Sequence, residues 1–243
     1  MKKQLTAVVF AMAIVVASII LGYAVINRNN KPGNIAVTGL GETNFTSDLI
    51  VWEARFSQVN KDLKQAYSDL KNDKETISKY LKSKGLPDSV LVFSAVTSSK
   101  KSKNKYSTDG KYIGEDFIGY DLNQTVQIKS PEVEKIEKIS REITELLNKG
   151  IQLYSSSPRY YYTKLEDLKI EMVSRATENA HLRAKSIAEN SGATLGELSK
   201  AQMGVFQITG QYSNEDYSWG GAYNTSSKEK TASITMKLTY QVR

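Results

Sequence analysis

The sequence has no cysteine and one histidine, His181, among its 243 residues. Without cysteine the chain has neither disulfide bonds nor a thiolate for catalysis or metal binding. A single histidine cannot be joined by a second imidazole or a thiolate to complete a zinc or copper site. We therefore expect His181 to be a partly exposed helix residue, and we expect no metal and no other cofactor.

Several catalytic sequence motifs are missing as well. The chain contains no Gly-x-Ser-x-Gly elbow, no phosphate-binding loop and no zinc-protease motif. Neighbouring carboxylates such as Glu166 and Asp167, or Glu215 and Asp216, are expected on the surface. A pair of carboxylates brought together by folding, as in glycosidases, remains open. The residues nevertheless argue against an enzyme.

The charge balance gives no sign of a nucleic-acid partner. The chain has a net charge of +7, from 33 basic and 26 acidic residues. Without Lys2, Lys3 and Arg28, 30 basic residues face 26 acidic residues, which leaves a net charge of +4. This value is ordinary for a soluble domain and does not predict binding to nucleic acid.

The N-terminus has the character of a membrane anchor. After the short basic start at 1–4, an uncharged apolar run extends from Leu5 to Ile26. At about 1.5 Å per helical residue, it spans about 30 Å, the thickness of a bilayer core. We expect an anchor at 5–26, a linker at 27–33 and a domain at 34–243 outside the cytoplasm. The alternative is a cleaved signal peptide, with small residues near Gly22 before the cut.

Apolar residues at helical spacing predict three long helices after the linker. The first is expected at 60–84 with Asn60 as its N-cap, and the second at 130–150. The third follows a capping-box sequence, Thr163–Glu166, and ends near Gly192. In this third helix alanine recurs at every fourth position, and such a ridge of methyl groups allows a helix to lie close to a sheet. The ridge consists of Ala176, Ala180, Ala184 and Ala188.

Alternation of apolar and polar residues predicts the strands. A short strand begins at Ile35 and is expected to end at the turn Gly39–Gly41. A second strand at 49–59 directs Ile50, Trp52, Ala54 and Phe56 to one face. Further strands are expected at 90–98, 117–129, 198–209 and 234–242.

Two long connections are candidate contact regions. The first joins the strands at 90–98 and 117–129 into a long hairpin with a lysine-rich tip, which is either a solvated loop or a contact for an anionic lipid or polymer. Its lysines are Lys100, Lys101, Lys103 and Lys105. The second, between the last two strands, carries large aromatic side chains that either contact a partner or fold back over the domain's own sheet. They are Tyr212, Tyr217, Trp219 and Tyr223.

Several segments between residues 35 and 242 resemble the SIMPL domain family, also called DUF541. They are Ile35–Glu42, Ile118–Asp121 with Val126, Arg183–Ala188, Gly192–Glu197 and Leu238–Val242. The chain departs from the family pattern at Ser47-Asp48, where proline-aspartate is usual, and in its enlarged, lysine-rich first hairpin.

The resemblance implies an α/β domain with antiparallel sheet and packed helices. With the predicted elements, this gives a fold of the α+β type, mainly antiparallel sheet with about three long packed helices, two long hairpin extensions and one N-terminal transmembrane helix. The resemblance also implies a bacterial protein outside the cytoplasm, periplasmic or at the cell surface. Some relatives are linked to oxidative-stress tolerance, and others, in animals, to signalling scaffolds. No catalytic residues are established for the family.

The expected function is a non-enzymatic, membrane-anchored binding or scaffold domain that assembles with itself or with an envelope protein. The anchor and the two long connections favour this interpretation, since a compact core does not need such extensions. The alternative is a ligand- or glycan-binding module in which the rings of residues 212–223 stack on the bound molecule.

Overall fold

The computed structural model describes the backbone of residues 2–29 and 33–243, and the side chains of residues 8–26 and 33–243. Part of the expected linker, residues 30–32, lies outside the described residues.

The N-terminal segment is one helix, α1 (Lys2–Asn29). Within α1, Val8–Ile26 is long and apolar enough to cross a membrane, with a mean hydropathy of 2.7 and no buried residue. A helix of the predicted length is therefore present. By length and composition alone it fits an anchor or a signal sequence.

The part of the chain described after α1 contains three further α-helices and ten strands, and the paired strands whose registers are resolved run antiparallel. The helices are α2 (Leu63–Ser83), α3 (Val133–Glu142) and α4 (Leu165–Asn190). The strands are β1 (Asn34–Thr46), β2 (Leu49–Asn60), β3 (Leu91–Phe93), β4 (Thr97–Tyr106), β5 (Tyr112–Ser130), β6 (Gln152–Ser155), β7 (Arg159–Tyr161), β8 (Leu195–Met203), β9 (Gln207–Gly210) and β10 (Glu229–Val242). The predicted α+β fold class is confirmed.

The chain divides into two compact units. The first contains the residues up to Gly41, together with Met172–Gly204 and Ile234–Arg243. The second contains Glu42–Glu171 and Val205–Ser233.

In the first unit, α4 packs with its alanine ridge inward. All four ridge alanines have no exposed surface, as the spacing predicts. The second half of β10 pairs with β8, and its buried residues alternate with exposed ones. The alternation predicted at 234–242 is therefore confirmed, since it puts Ile234, Met236 and Leu238 on the buried face.

The close packing of α4 depends on two glycines of β1. A Cβ added at Gly39 would lie 2.5 Å from the amide nitrogen of Ala180 and closer still to the carbonyl oxygen of Ala176. A Cβ added at Gly41 would meet the carbonyl oxygen of Met172 in the same way. The predicted turn at Gly39–Gly41 is wrong, because β1 continues through it to Thr46. The two glycines face the helix and leave room for its backbone.

The second unit is organised around β2. Strand β5 pairs with one edge of β2, and β6 and β7 pair with the other edge. The residues predicted to face the core from β2 are each at most 1% exposed, including Trp52 and Phe56. Helices α2 and α3 supply further apolar residues to the same buried cluster, among them Leu70, Ile77 and Ile136.

Two predicted helix caps are wrong. The N-cap of α2 is Asp62, whose carboxylate accepts hydrogen bonds from the amides of Lys64 and Gln65 at 2.7 and 3.0 Å. Asn60 remains in β2. At the start of α4, the hydroxyl and the amide of Thr163 donate to the carboxylate of Asp48 at 2.6 and 2.7 Å. A long-range partner has therefore replaced the local capping interaction.

Two predicted strands are interrupted. The stretch 90–98 contains β3 and the start of β4, separated at residues 94–96. There the carbonyl oxygen of Ser94 accepts a hydrogen bond from the Gln124 side chain at 2.7 Å, which takes the place of a ladder partner. The stretch 198–209 contains the end of β8 and most of β9, separated at residues 204–206.

Candidate functional site

The aromatic loop, residues 211–228, connects β9 to β10. After leaving the sheet it returns to lie beside β9, where Ile208 and Tyr223 form a parallel β-bridge. The amide of Ile208 donates to the carbonyl oxygen of Ala222 at 2.8 Å, and the amide of Asn224 donates to the carbonyl oxygen of Ile208 at 2.9 Å. These bonds fix the returning part of the loop to the sheet.

The side chain of Gln207 holds the middle of the loop. Its carbonyl oxygen accepts hydrogen bonds from the amides of Ala222 and Ser218 at 2.7 and 3.2 Å. Its amide group donates to the carbonyl oxygen of Ser218 at 2.9 Å. Because Gln207 is only 7% exposed, these bonds are largely shielded from water.

A second set of polar contacts closes the loop near its ends. The carboxylate of Glu215 accepts a hydrogen bond from the amide of Gly210 at 3.0 Å and another from the side-chain amide of Asn224. The side-chain oxygen of Asn224 in turn accepts from the amide of Ser227 at 2.8 Å. The aromatic loop is therefore a fixed structure, held by the buried side chains of Gln207 and Asn224 together with the carboxylate of Glu215.

This fixed loop presents two rings almost fully to solvent. Trp219 is 100% exposed and Tyr212 is 94% exposed. Tyr212 has a φ of 58°, in the left-handed region that non-glycine residues seldom adopt. Such a conformation persists where the surrounding structure imposes it, and it is frequent at functional sites.

The other two predicted rings lie differently. The hydroxyl groups of Tyr217 and Ser233 are 3.3 Å apart, within hydrogen-bonding distance. Tyr223 borders an open depression of about 270 Å³, together with Phe206 and Gly221. None of the ring contacts among the described residues joins any two of the four aromatic side chains. The four rings do not form one stacking platform.

Beside the loop lies a lysine that the sequence pattern did not single out. Lys230 is 1% exposed, its Nζ donates to the carbonyl oxygen of Tyr160 at 2.6 Å, and the same atom lies 5.9 Å from the centre of the Tyr223 ring. Burial lowers the pKa of Lys230 to about 8, although the nearby carboxylate of Glu215 opposes this effect. The burial of Lys230 could have been predicted from the sequence. The alternation of β10, continued back from Ile234, puts residue 230 on the buried face.

The predicted lysine-rich tip is a strand. All ten residues of β4 are exposed, and β4 pairs with residues 112–123 of β5. The lysines belong to this ladder, while the connecting turn lies at 107–111. They are Lys100, Lys101, Lys103 and Lys105. The prediction that these lysines lie in a loop is wrong, because a ribbon exposed on both faces needs no apolar alternation to form a strand.

His181 is an exposed residue of α4, in agreement with the expectation from the sequence. Its Nδ1 lies 3.2 Å from the hydroxyl of Tyr240, and the two rings meet edge to face at 5.6 Å. Within the described ranges, no group of three or more histidine, aspartate or glutamate residues is arranged to hold a metal ion.

These features define an antiparallel α+β protein whose N-terminal helix has the length and composition to span a membrane. The chain belongs to the SIMPL family, whose sequence model matches residues 35–243 and is described as a protein of unknown function (DUF541). The match covers nearly all of the chain after α1 and confirms the resemblance seen in the sequence segments. No curated protein matches the chain.

Proposed function

We propose that this protein is a non-enzymatic binding domain, anchored in a membrane by α1 with its bulk outside the cytoplasm, which assembles with itself. The observation that carries the proposal is the fixed aromatic loop, which keeps Trp219 and Tyr212 in solvent. Exposed rings gain no free energy in water, whereas at an interface they supply a large contact area.

The internal bonds of the loop support this role. A surface that is already ordered loses little conformational entropy when it binds, and more of the contact energy is then available as affinity. Tyrosine and tryptophan add to this advantage, because each has only two side-chain torsions to immobilise. Here Gln207, Glu215 and Asn224 hold the backbone, so the rings of Tyr212 and Trp219 are presented on a rigid base.

The carboxylate arrangement favours binding over catalysis. Glu215, one of the carboxylates considered for acid–base chemistry, is engaged by the amide of Gly210 and the side chain of Asn224. Its role in the loop is therefore structural. A part in envelope or oxidative-stress tolerance follows from the family resemblance and belongs to the same proposal. An envelope protein is the alternative to a second copy as partner.

Glycan binding is the second candidate function, and the placement of the rings favours it less. A platform that stacks several sugar units needs neighbouring rings, while Tyr217 bonds to Ser233 of β10 and Tyr223 lies near Lys230. Titration with glycans, followed by the fluorescence of exposed Trp219, tests this candidate. A saturable change in emission would favour the glycan-binding module.

The test of the proposal is the double variant Tyr212→Ser and Trp219→Ser in the full-length chain. Because both rings are solvent-exposed, the melting temperature should stay unchanged, while the mass of the detergent-solubilised particle should fall. A matched control is Tyr67→Ser with Tyr154→Ser, since these tyrosines lie outside the loop and are 55% and 69% exposed. The control should keep the wild-type mass. An unchanged mass in the loop variant would contradict the proposed contact.

A further inference from the structure

The hairpin of β4 and β5 projects as a ribbon with two open edges, which we call the arm (97–106 and 112–121). Strand β5 pairs with β2 only from Tyr120 to Ser130, so residues 112–119 have β4 as their one partner among the described strands. Among the described strands, β4 in turn has no partner other than β5. Both outer edges therefore carry backbone groups free to pair with another strand.

A ribbon of this kind gains little stability alone, because two strands in water are marginal without a packed face. One face of the arm nevertheless carries apolar side chains. Tyr106 and Tyr112 meet edge to face at 6.0 Å, and Phe117 and Tyr120 do so at 5.3 Å. Tyr106, Tyr112 and Phe117 are 45–57% exposed. A further strand on either edge would cover part of these rings.

The two strands of the arm have opposite charges. The four lysines of β4 have no acidic residue among them, whereas residues 112–119 of β5, which β2 leaves open, contain Glu115 and Asp116 and no basic residue. Within the described structure, Lys105 and Asp116 form an ion pair at 3.3 Å, while no ion pair there involves Glu115 or the other β4 lysines. One open edge is thus basic and the other acidic.

We infer that a second copy of this chain pairs with the arm edge to edge, with β4 of one copy against β5 of the next. This pairing rests on the self-assembly proposed above, and it makes the arm the surface through which the copies contact one another. Contact between two β4 strands would bring lysines opposite lysines, and contact between two β5 strands would oppose carboxylates. Only the mixed pairing brings unlike charges together, and it continues the antiparallel ladder of the hairpin.

This order is head to tail. Each copy uses one edge to bind the copy before it and the other edge to bind the copy after it, which builds a ring or an open filament. Lysines on an exposed edge ordinarily discourage edge pairing. Here they exclude the symmetric contact and leave the acidic edge of β5 as the matching surface.

The test is a charge-reversed chain that keeps the charge complementarity within each arm. The reversed variant has the four β4 lysines changed to Glu, with Glu115→Lys and Asp116→Lys. It should fold and assemble to the wild-type mass, because β4 of one reversed chain and β5 of the next still carry opposite charges. Mixed with wild type, it should form about tenfold fewer mixed oligomers than random exchange gives, since like charges would then face each other. The two chains are purified separately and mixed so that their subunits can exchange. Native mass spectrometry then counts the mixed particles.

Random mixing of the two chains would overturn the inference, and so would a reversed chain that folds but stays monomeric. Random mixing combined with lost binding of the reversed chain to phosphatidylglycerol vesicles would assign the lysines to a lipid surface instead. A wild-type chain that is itself monomeric would contradict the proposed self-assembly. If wild type is an oligomer but mixes randomly with the reversed chain, the arm contact is overturned and the proposed self-assembly is not.

Cross-linking tests the same contact without changing the charges, and it applies also if the reversed chain fails to fold. The natural sequence has no cysteine, so Asn104→Cys on β4 and Phe117→Cys on β5 can be placed in separate chains. On oxidation, the mixture should give several-fold more cross-linked dimer than either variant alone. Equal yields in the mixture and in the single variants would overturn the head-to-tail order.

Discussion

Burial of Lys230 should make the chain more stable in alkaline solution. Its side chain is 1% exposed, and burial lowers its pKa from 10.5 to about 8. Below the folded-state pKa, the folded and unfolded chains both carry the charge, and the cost of burying it is present in full. Between the two pKa values the unfolded chain binds more protons than the folded chain, so the free energy of unfolding rises with pH. At roughly 1.4 kcal/mol for each pH unit between these values, the gain is about 3 kcal/mol.

The assay is urea unfolding in detergent from about pH 7 to about pH 10.5, covering the titration of a normal lysine. The fluorescence of Trp52, which has no exposed surface, reports unfolding of the second unit. The reference is Lys230→Met, which cannot titrate. Burial raises the pKa values of Tyr160 and Tyr223, and the comparison with this variant removes their contribution.

Wild type should gain stability relative to Lys230→Met across this pH range. The exposed residue Lys237 lies on the same strand, and Lys237→Met should show the pH profile of the wild type. Parallel profiles for wild type and Lys230→Met would refute the reasoning, because they would mean that folding does not change the protonation of Lys230.

Two further predictions concern the helices. Gly39→Ala should destabilise the first unit by about 1–3 kcal/mol in thermal melts, because the added Cβ meets the backbone at Ala176. Gly220→Ala, where no atom lies within 4 Å of the added Cβ, should be nearly neutral, and equal losses at both sites would contradict the close packing of α4. Mass spectrometry of the native protein should show an intact N-terminus, as expected for an anchor. A mature chain that begins near Val25 would favour a cleaved signal peptide.

Patterns within single elements were the most predictable part of the fold. The alternation in β2 and the alanine ridge in α4 each identified the buried face, because burial on one side imposes a fixed period on the sequence. Features that depend on distant partners were missed. Gly39 looked like a turn residue, although its role is to leave room for α4, and Thr163 looked like a cap, although it bonds to Asp48.

The sequence predicted which residues make up the candidate site, but it did not predict how they are arranged in space. The aromatic residues of the loop were identified, but their arrangement depends on polar partners such as Gln207 and Glu215, which fix the backbone that carries the rings. Lys230 was missed because a lysine in a strand usually faces solvent. The lysines of β4 were expected in a loop, since a two-stranded ribbon leaves little periodicity in the sequence.

The most direct measurement is the mass of the full-length chain in detergent, by native mass spectrometry. A single chain has a mass of 27.1 kDa. A self-assembling binding domain predicts a particle of several chains, whose mass falls when Tyr212 and Trp219 are both changed to serine. A wild-type particle of one chain at every concentration would contradict self-assembly. An oligomer unaffected by the two substitutions would contradict the role of the aromatic loop.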